Sequence, residues 1–309
     1  MSMPNINEEA IVQAVINAIN KVDVTQSVGI AEIAKDSVKN EMNSMKINED
    51  DYVSDDDLLD YAAIPEEEIC LIDNPKNKEA LMRLKRATPA HTASGRAGTR
   101  EKTIINYRKI ANWASAVDAV YAPLDRKLAE GFGFPIIKSK PNSKEEYLMR
   151  PDLGCQLDDE NMNIVRTKLK KNPEVQIVIG EGQSAIGLEK SMPELLPALL
   201  QGLELNKIDY GTPVFVEYTR VKIGDLIAQE VGAQAVCVIL GERPGLQSWD
   251  GLGCYLCYDP KVGILESKRI CVSNIQDNGG TPPAEAGAYI ADLIARVLKE
   301  KASGVDLII

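Results

Sequence analysis

Few residues in this chain could do chemistry, and their types limit what that chemistry could be. Histidine occurs once, at His91. A Ser-His-Asp triad would have to use it, and a multi-histidine zinc site is impossible within the chain. Pro89-Ala90-His91-Thr92 reads as a loop with no nucleophile signature nearby, so a structural or exposed His91 is expected. The six cysteines are Cys70, Cys155, Cys237, Cys254, Cys257 and Cys271. Cys254 and Cys257 make a C-x-x-C, half of a zinc site or a redox pair. No second C-x-x-C accompanies it, and Cys254-Tyr255-Leu256-Cys257-Tyr258 reads as a strand that points the two thiols to opposite faces. Structural, reduced cysteines are expected in a chain with no signal peptide and no 18-residue apolar run.

Three loops carry the remaining candidates. Gly180-Glu181-Gly182-Gln183-Ser184-Ala185 matches G-x-G-x-x-A, the turn that lets a backbone approach a dinucleotide pyrophosphate. The next helix, however, reads as opening at Ser191, with Glu194 completing a capping box and Pro193 in the first turn. That is several residues too late to aim its N-terminus at the glycines. Gly241-Glu242-Arg243-Pro244-Gly245-Leu246 places a carboxylate and a guanidinium on a tight exit from a hydrophobic strand. They either meet a polar ligand or form a mutual pair that finishes the turn. Arg220-Val221 follows a third strand, and Cys271 precedes Ser273-Asn274-Ile275. These would converge at one edge if their strands are neighbours.

The elements that must position them follow a regular pattern from about residue 157. Helices are predicted over Asp158 to Lys171, Ser191 to Leu205, Ile223 to Val231 and Pro283 to Lys301, and strands over Val175 to Gly180, Pro213 to Tyr218, Ala235 to Leu240 and Gly253 to Tyr258. Strands separated by helices imply mostly parallel pairing with right-handed crossovers. The fold class expected is α/β: a Rossmann-like doubly wound sheet in the C-terminal half, residues 151–309, preceded by a mainly helical region over 74–150. That region carries a basic interruption at Ser94-Gly95-Arg96-Ala97-Gly98-Thr99-Arg100, then a turn and short strand over Phe132 to Lys140. In a doubly wound sheet, ligands sit outside the carboxyl ends of the strands.

Charge is distributed unevenly. Ten acidic residues and no Lys or Arg lie between Glu49 and Glu68, against a net charge of −11 for all 309 residues. Without that stretch the rest is close to neutral, about −1, and lacks the basic footprint that binding a phosphate backbone requires. No nucleic-acid or membrane partner is expected. Residues 22–73 read as an acidic linker. Residues 1–21 hold an amphipathic helix from Asn5 to Lys21, with Asn5 and Glu8 as a capping box and Ile11, Val12, Val15, Ile16 and Ile19 on one face. That helix either packs locally or docks on a partner.

Five motifs in order then form a recognisable set: Gly95-Arg96-Ala97-Gly98, Arg150-Pro151-Asp152-Leu153-Gly154, Gly211-Thr212-Pro213, the Glu242 loop, and Ser273-Asn274-Ile275 with Gly280-Thr281-Pro282-Pro283-Ala284-Glu285-Ala286. From about residue 75 onward the chain resembles the small (light) subunit of adenosylcobalamin-dependent ethanolamine ammonia-lyase. The resemblance implies radical deamination of ethanolamine to acetaldehyde and ammonia. The cofactor's cobalt–carbon bond breaks homolytically, and the adenosyl radical takes a substrate hydrogen. It also implies a large, TIM-barrel subunit that holds substrate while this subunit closes the other side of the corrin, with no catalytic residue or metal ligand in this chain. Carried over by motif, Arg220, Val221, Glu242 and Cys271 would face the cobalamin. No D-x-H-x-x-G surrounds His91, so the cofactor is expected to keep its own dimethylbenzimidazole on cobalt. The N-terminal helix is similar to peptides that direct this enzyme into bacterial microcompartments. This sequence departs from the family pattern at Gln276 and nearby Asp277-Asn278-Gly279, at Cys155, and at Glu217, which lies three residues before Arg220 and within reach of altering its pairing. A non-catalytic nucleotide-binding scaffold, or a nicotinamide-dependent Rossmann oxidoreductase, is the alternative.

Overall fold

The computed structural model describes residues 64–307 except 66, 67, 89, 246, 247 and 278. All described residues belong to one compact unit, Tyr61–Ile309. The helix expected over Asn5 to Lys21 and most of the acidic linker lie outside the described residues.

The N-terminal part of this unit is mainly helical. Helix α1 (Lys78–Arg86) begins where Asn77 accepts the Ala80 N–H at 2.9 Å, satisfying a donor that the first turn leaves open. The basic, glycine-bearing interruption forms a two-stranded hairpin, β1 (Arg96–Ala97) against β2 (Arg100–Glu101). Helices α2 (Thr103–Tyr121) and α3 (Arg126–Gly131) follow. The next strand, β3 (Ile136–Lys138), pairs in parallel with β5 (Val214–Glu217), so the main sheet extends across the junction expected at residue 150.

After α4 (Lys144–Met149) and α5 (Asp159–Lys168) come β4 (Val175–Gly180), α6 (Ala185–Leu205), β5, α7 (Ile223–Val231), β6 (Ala235–Gly241), β7 (Leu252–Tyr258), β8 (Arg269–Ile275) and α8 (Pro283–Glu300). The sheet order is β3-β5-β4-β6-β7-β8. The first four strands are parallel, whereas β7 runs antiparallel to β6, and β8 antiparallel to β7. The sheet is therefore mixed rather than uniformly parallel, and β8 is a strand that sequence reading did not anticipate. The cause is connection length: ten residues join β6 to β7 and ten join β7 to β8, and neither link contains an α-helix to carry a parallel crossover.

Alternation along the strands sorts the core onto two faces. Ile177, Ile179, Cys237 and Ile239 face one way, packing with Leu188, Met192, Leu195 and Leu199 of α6 and Ile290, Ile294 and Val297 of α8. Val178, Val236 and Val238 face the other way, against Val165 of α5 and Ile223, Ile227 and Val231 of α7. The C-x-x-C is divided in the same manner: Cys254 belongs to the first face, with its sulfur 3.5 Å from that of Cys237, and Cys257 belongs to the second. A shared metal or a disulfide between Cys254 and Cys257 is excluded by this geometry.

The helix expected from Ser191 starts six residues earlier. Ser184 caps it, accepting the Gly187 N–H, and both Pro193 and Pro197 lie inside it. Burial of Ala185, Leu188 and Met192 against the sheet outweighs the helix bonds the prolines remove.

Candidate functional site

The winding of the sheet places the site. β5 lies on one side of β4 and β6 on the other, so the chain changes direction between them. The loops at the carboxyl ends of β4, β5 and β6 flank the crevice that results. A cavity of about 380 Å³ opens there, lined by Gln183, Arg220, Val221, Glu242, Arg243 and Tyr255, among others. A larger groove of about 850 Å³ shares Arg220 and Val221 and adds apolar walls from Leu157, Met162, Leu226 and Val262.

Arg220 stands between the two. Its guanidinium carbon lies 4.4 Å from the centre of the Tyr147 ring, and one Nη donates to the Tyr147 carbonyl at 3.4 Å. Its Nε is buried and has no acceptor, a deficit worth about 1–3 kcal/mol in a buried polar group. Tyr147, fully buried, fixes this arrangement from below: its hydroxyl donates to the Thr219 carbonyl at 2.8 Å, and its ring stacks on Tyr218 at 5.7 Å. Burial pushes the Tyr147 phenol well above its ordinary range, so it stays a neutral donor. Tyr218 has φ +57°, a left-handed conformation that is costly for a bulky residue. The Arg150-Pro151-Asp152-Leu153-Gly154 motif explains its own glycine here. The Gly154 carbonyl accepts the Arg220 N–H at 3.0 Å, and a Cβ on Gly154 would stand 2.7 Å from Arg220 Cγ. Glu217 pairs with Arg126 at 2.5 Å, so it does not neutralise Arg220.

On the opposite wall, Glu242 and Arg243 do not pair. Glu242 accepts the Asn274 N–H at 3.1 Å, reaching across to the end of β8, while Arg243 is exposed and in no ion pair among the described residues. The turn-finishing pair is thereby excluded. Burial holds the Glu242 carboxyl above the usual range, partly opposed by hydrogen bonds from Asn274 and Ser273. Cys271 lies opposite Tyr255 in the β7–β8 ladder, with a side-chain hydrogen bond between them. Burial raises the Cys271 thiol, and the Glu242 charge adds to the effect. Arg220, Val221 and Glu242 thus share one cavity, and Cys271 adjoins it through Tyr255. Sequence reasoning did not find Tyr147, Thr219 or Tyr255. Tyr255 was legible in principle, as the register partner of Cys271, once β8 is recognised as a strand.

The glycine-rich turn after β4 is filled by the protein itself. The Gln183 N–H donates to the Gly241 carbonyl at 3.0 Å, and a Cβ on Gly182, which has φ +60°, would fall 2.2 Å from that same oxygen. Glu181 between the glycines is a buried carboxylate, held by Lys144 at 2.9 Å and by the Tyr218 N–H at 3.3 Å. The helix does start at this turn, contrary to the sequence reading. Nonetheless, a buried negative charge and an occupied N–H oppose a pyrophosphate there.

The family profile described as ethanolamine ammonia-lyase light chain matches residues 78–308. The chain belongs to that family. Among similar proteins, the ethanolamine ammonia-lyase small subunit of Clostridium perfringens is 39% identical over 284 residues, which is 92% of this chain and 95% of the relative. That of Clostridium tetani is 44% identical over 237 residues, covering 77% and 80% respectively. That of Listeria monocytogenes is 38% identical over 255 residues, covering 82% and 87%. A light chain implies a large partner subunit and membership of a lyase complex. Among the described residues of this light chain, no group of three or more His, Cys, Asp or Glu is placed to hold a metal, and no helix is long and apolar enough to cross a membrane.

Proposed function

We propose that this light chain clamps adenosylcobalamin against the heavy chain of an ethanolamine ammonia-lyase, the complex that converts ethanolamine to acetaldehyde and ammonia. The observation that carries the reading is convergence. Arg220 and Val221 from one loop and Glu242 from another line a single cavity at the carboxyl edge of the sheet, and Cys271 adjoins it. The donor set suits a large ligand fringed with amides. Arg220 offers unsatisfied N–H groups, Glu242 offers a carboxylate that accepts amide N–H, and Val221 with the apolar groove covers hydrocarbon.

When bound, the cofactor supplies the radical chemistry. The residues of this chain orient it and exclude water from its protein-facing side. His91 lines neither cavity, which supports retention of the cofactor's own dimethylbenzimidazole. The winding of β4, β5 and β6, with helices on both faces, supports a Rossmann-like, doubly wound reading of residues 151–309, to which β3 is added. The heavy chain is read as the TIM-type barrel that holds substrate, and this light chain is read as inactive alone. Asn5 to Lys21 is read as the segment that delivers the complex to a bacterial microcompartment.

The test is reconstitution. The purified light chain is mixed with adenosylcobalamin, with and without the heavy chain, and acetaldehyde formed from ethanolamine is measured. Activity is expected only from the mixture of both chains. Activity from the light chain alone, or none from the mixture, overturns the proposal. Tight binding of a nicotinamide cofactor in a titration would instead support the oxidoreductase reading, which the filled glycine turn opposes.

A further inference from the structure

The cavity is lined by two arginines that form no ion pair among the described residues. Arg220 uses one of its five N–H donors, on the Tyr147 carbonyl, and forms no ion pair. Arg243, on the facing loop of the same cavity, forms neither a hydrogen bond nor an ion pair among the described residues. Neighbouring cations differ: Lys222 is paired with Glu266 at 3.2 Å, Lys140 is bonded to Gln156 at 3.1 Å, and Lys144 is paired with Glu181. The carboxylate that shares this lining, Glu242, accepts the Asn274 N–H and pairs with neither arginine. The chain outside the acidic stretch is nearly neutral, so two arginines against one carboxylate in the lining of one cavity are a local excess of positive charge.

We infer that Arg220 and Arg243 form a binding site for a phosphate group, and that the group is the phosphodiester in the nucleotide loop of the bound cobalamin. This inference rests on the cobalamin reading of the cavity and adds to it the part of the ligand that Arg220 and Arg243 meet. Guanidinium forks match phosphate oxygens in pairs, and charge-assisted bonds of this kind are about twice as strong as neutral ones. The phosphodiester is the single anion on a periphery otherwise made of neutral amides, so it is the group for which two arginines are suited. Arg220 also borders the apolar groove, which lets one ligand place its phosphate at Arg220 and an aromatic base beside it.

The experiment measures dissociation constants by equilibrium dialysis of the light–heavy complex against three corrinoids: adenosylcobalamin, adenosylcobinamide phosphate and adenosylcobinamide. The last two differ in the phosphate. The wild-type complex is expected to bind the phosphate form about 10- to 100-fold more tightly than adenosylcobinamide, with the ratio falling as salt is raised. Arg220→Gln should compress that ratio to about threefold or less, and Arg220→Lys should recover part of it. The exposed Arg243→Gln should reduce the ratio with an unchanged circular dichroism spectrum, so the test does not depend on how well the Arg220 variants fold. A wild-type complex that binds cobalamin but does not distinguish the two cobinamides overturns the phosphate site alone. So does a ratio that survives both glutamine variants. A complex that binds none of the three overturns the cobalamin reading, and this inference with it.

Discussion

Glu242 is a carboxylate in surroundings that disfavour its charge. Burial raises its pKa, so the folded state binds the proton more tightly than the unfolded chain does. A group raised in this way contributes stability below its unfolded pKa, and the contribution is lost as pH rises through the folded value. At neutral pH the ionised carboxylate therefore burdens the free light chain. Glu242→Gln keeps an acceptor for the Asn274 N–H and removes the charge. It is expected to raise the melting temperature of the isolated chain by about 1–3 °C at pH 7.5, with the gain shrinking as the pH is lowered toward 4, while weakening cobalamin retention. Equal gains at both pH values would show that charge burial is not the cause. Cys271 follows the same logic. Partial desolvation by its neighbours and the Glu242 charge both keep its thiol protonated, so at pH 7 this solvent-accessible cysteine should alkylate more slowly than a model thiol, with the rate recovering as pH rises. Mass spectrometry of iodoacetamide-treated protein reads this directly, and bound cobalamin should slow it further. That Arg220, Val221 and Glu242 come to one cavity, with Cys271 beside it, was legible because each sits in a short ordered motif next to a strand. Tyr147 and Tyr255 were not, because their roles depend on contacts between distant elements: Tyr147 reaches the β5–α7 loop, and Tyr255 meets Cys271 only through an antiparallel ladder.

Elements hold these residues in place through two devices. The first is close approach: the 153–155 turn carries Gly154 against the loop between β5 and α7, leaving no room for a methyl group beside Arg220 Cγ and the Tyr218 carbonyl. Gly154→Ala should cost about 1–3 kcal/mol in urea unfolding and should also weaken cobalamin binding by moving Arg220. A stability loss with unchanged affinity would mean that Arg220 is positioned by Tyr147 alone. The second device is the buried ion pair Asp225–Arg269, which ties α7 to the start of β8, with Arg269 Nη1 to Asp225 Oδ1 at 2.9 Å. Burial works against the Arg269 charge, yet the hydrogen bonds and charges of Asp225 and Glu266 leave its pKa raised. The two side chains are only 4% and 2% exposed, so removing one strands the other in low dielectric. Asp225→Ala should destabilise by about 3 kcal/mol, the lower end for a broken buried pair, because Glu266 still contacts Arg269 at 2.8 Å. Elements with strong periodicity were readable: β4 and α7 occupy the residues expected of them. The start of α6 was not, because the two prolines and Ser191 carry local signals that tertiary burial overrides. The direction of β7 was obscured for a different reason. The sequence shows the missing helix between β6 and β7, but a parallel expectation carried over from the preceding strands concealed what that absence means.

At the scale of the whole molecule, the lining of both cavities begins at Lys140 and ends at Glu266. With Cys271 added, everything proposed to touch the cofactor comes from the stretch between Lys140 and Cys271, which the family profile covers in full. The amphipathic segment Asn5 to Lys21 lies outside the described residues and outside that stretch of sequence, and the acidic linker separates the two in sequence. This separation is the argument for two independent tasks on one chain, delivery and cofactor holding. If the tasks are independent, removing residues 1–20 should leave ethanolamine turnover by the reconstituted complex within about twofold of the full-length value, because the stretch from Lys140 to Cys271 is kept whole. The same deletion should abolish co-purification with microcompartment shells. Measuring both quantities on one preparation separates the explanations. Retained turnover with lost packaging supports two tasks, whereas collapsed turnover with packaging intact would place the N-terminal segment in the working enzyme and refute a detachable role. The near-neutral charge of the remaining chain bears on this outcome. A surface without a strong charge excess can lie against a large subunit without like-charge repulsion, whereas ten carboxylates confined between Glu49 and Glu68 favour solvent. Shortening that acidic stretch while keeping Asn5 to Lys21 should accordingly impair packaging in proportion to the reach removed and leave turnover unchanged.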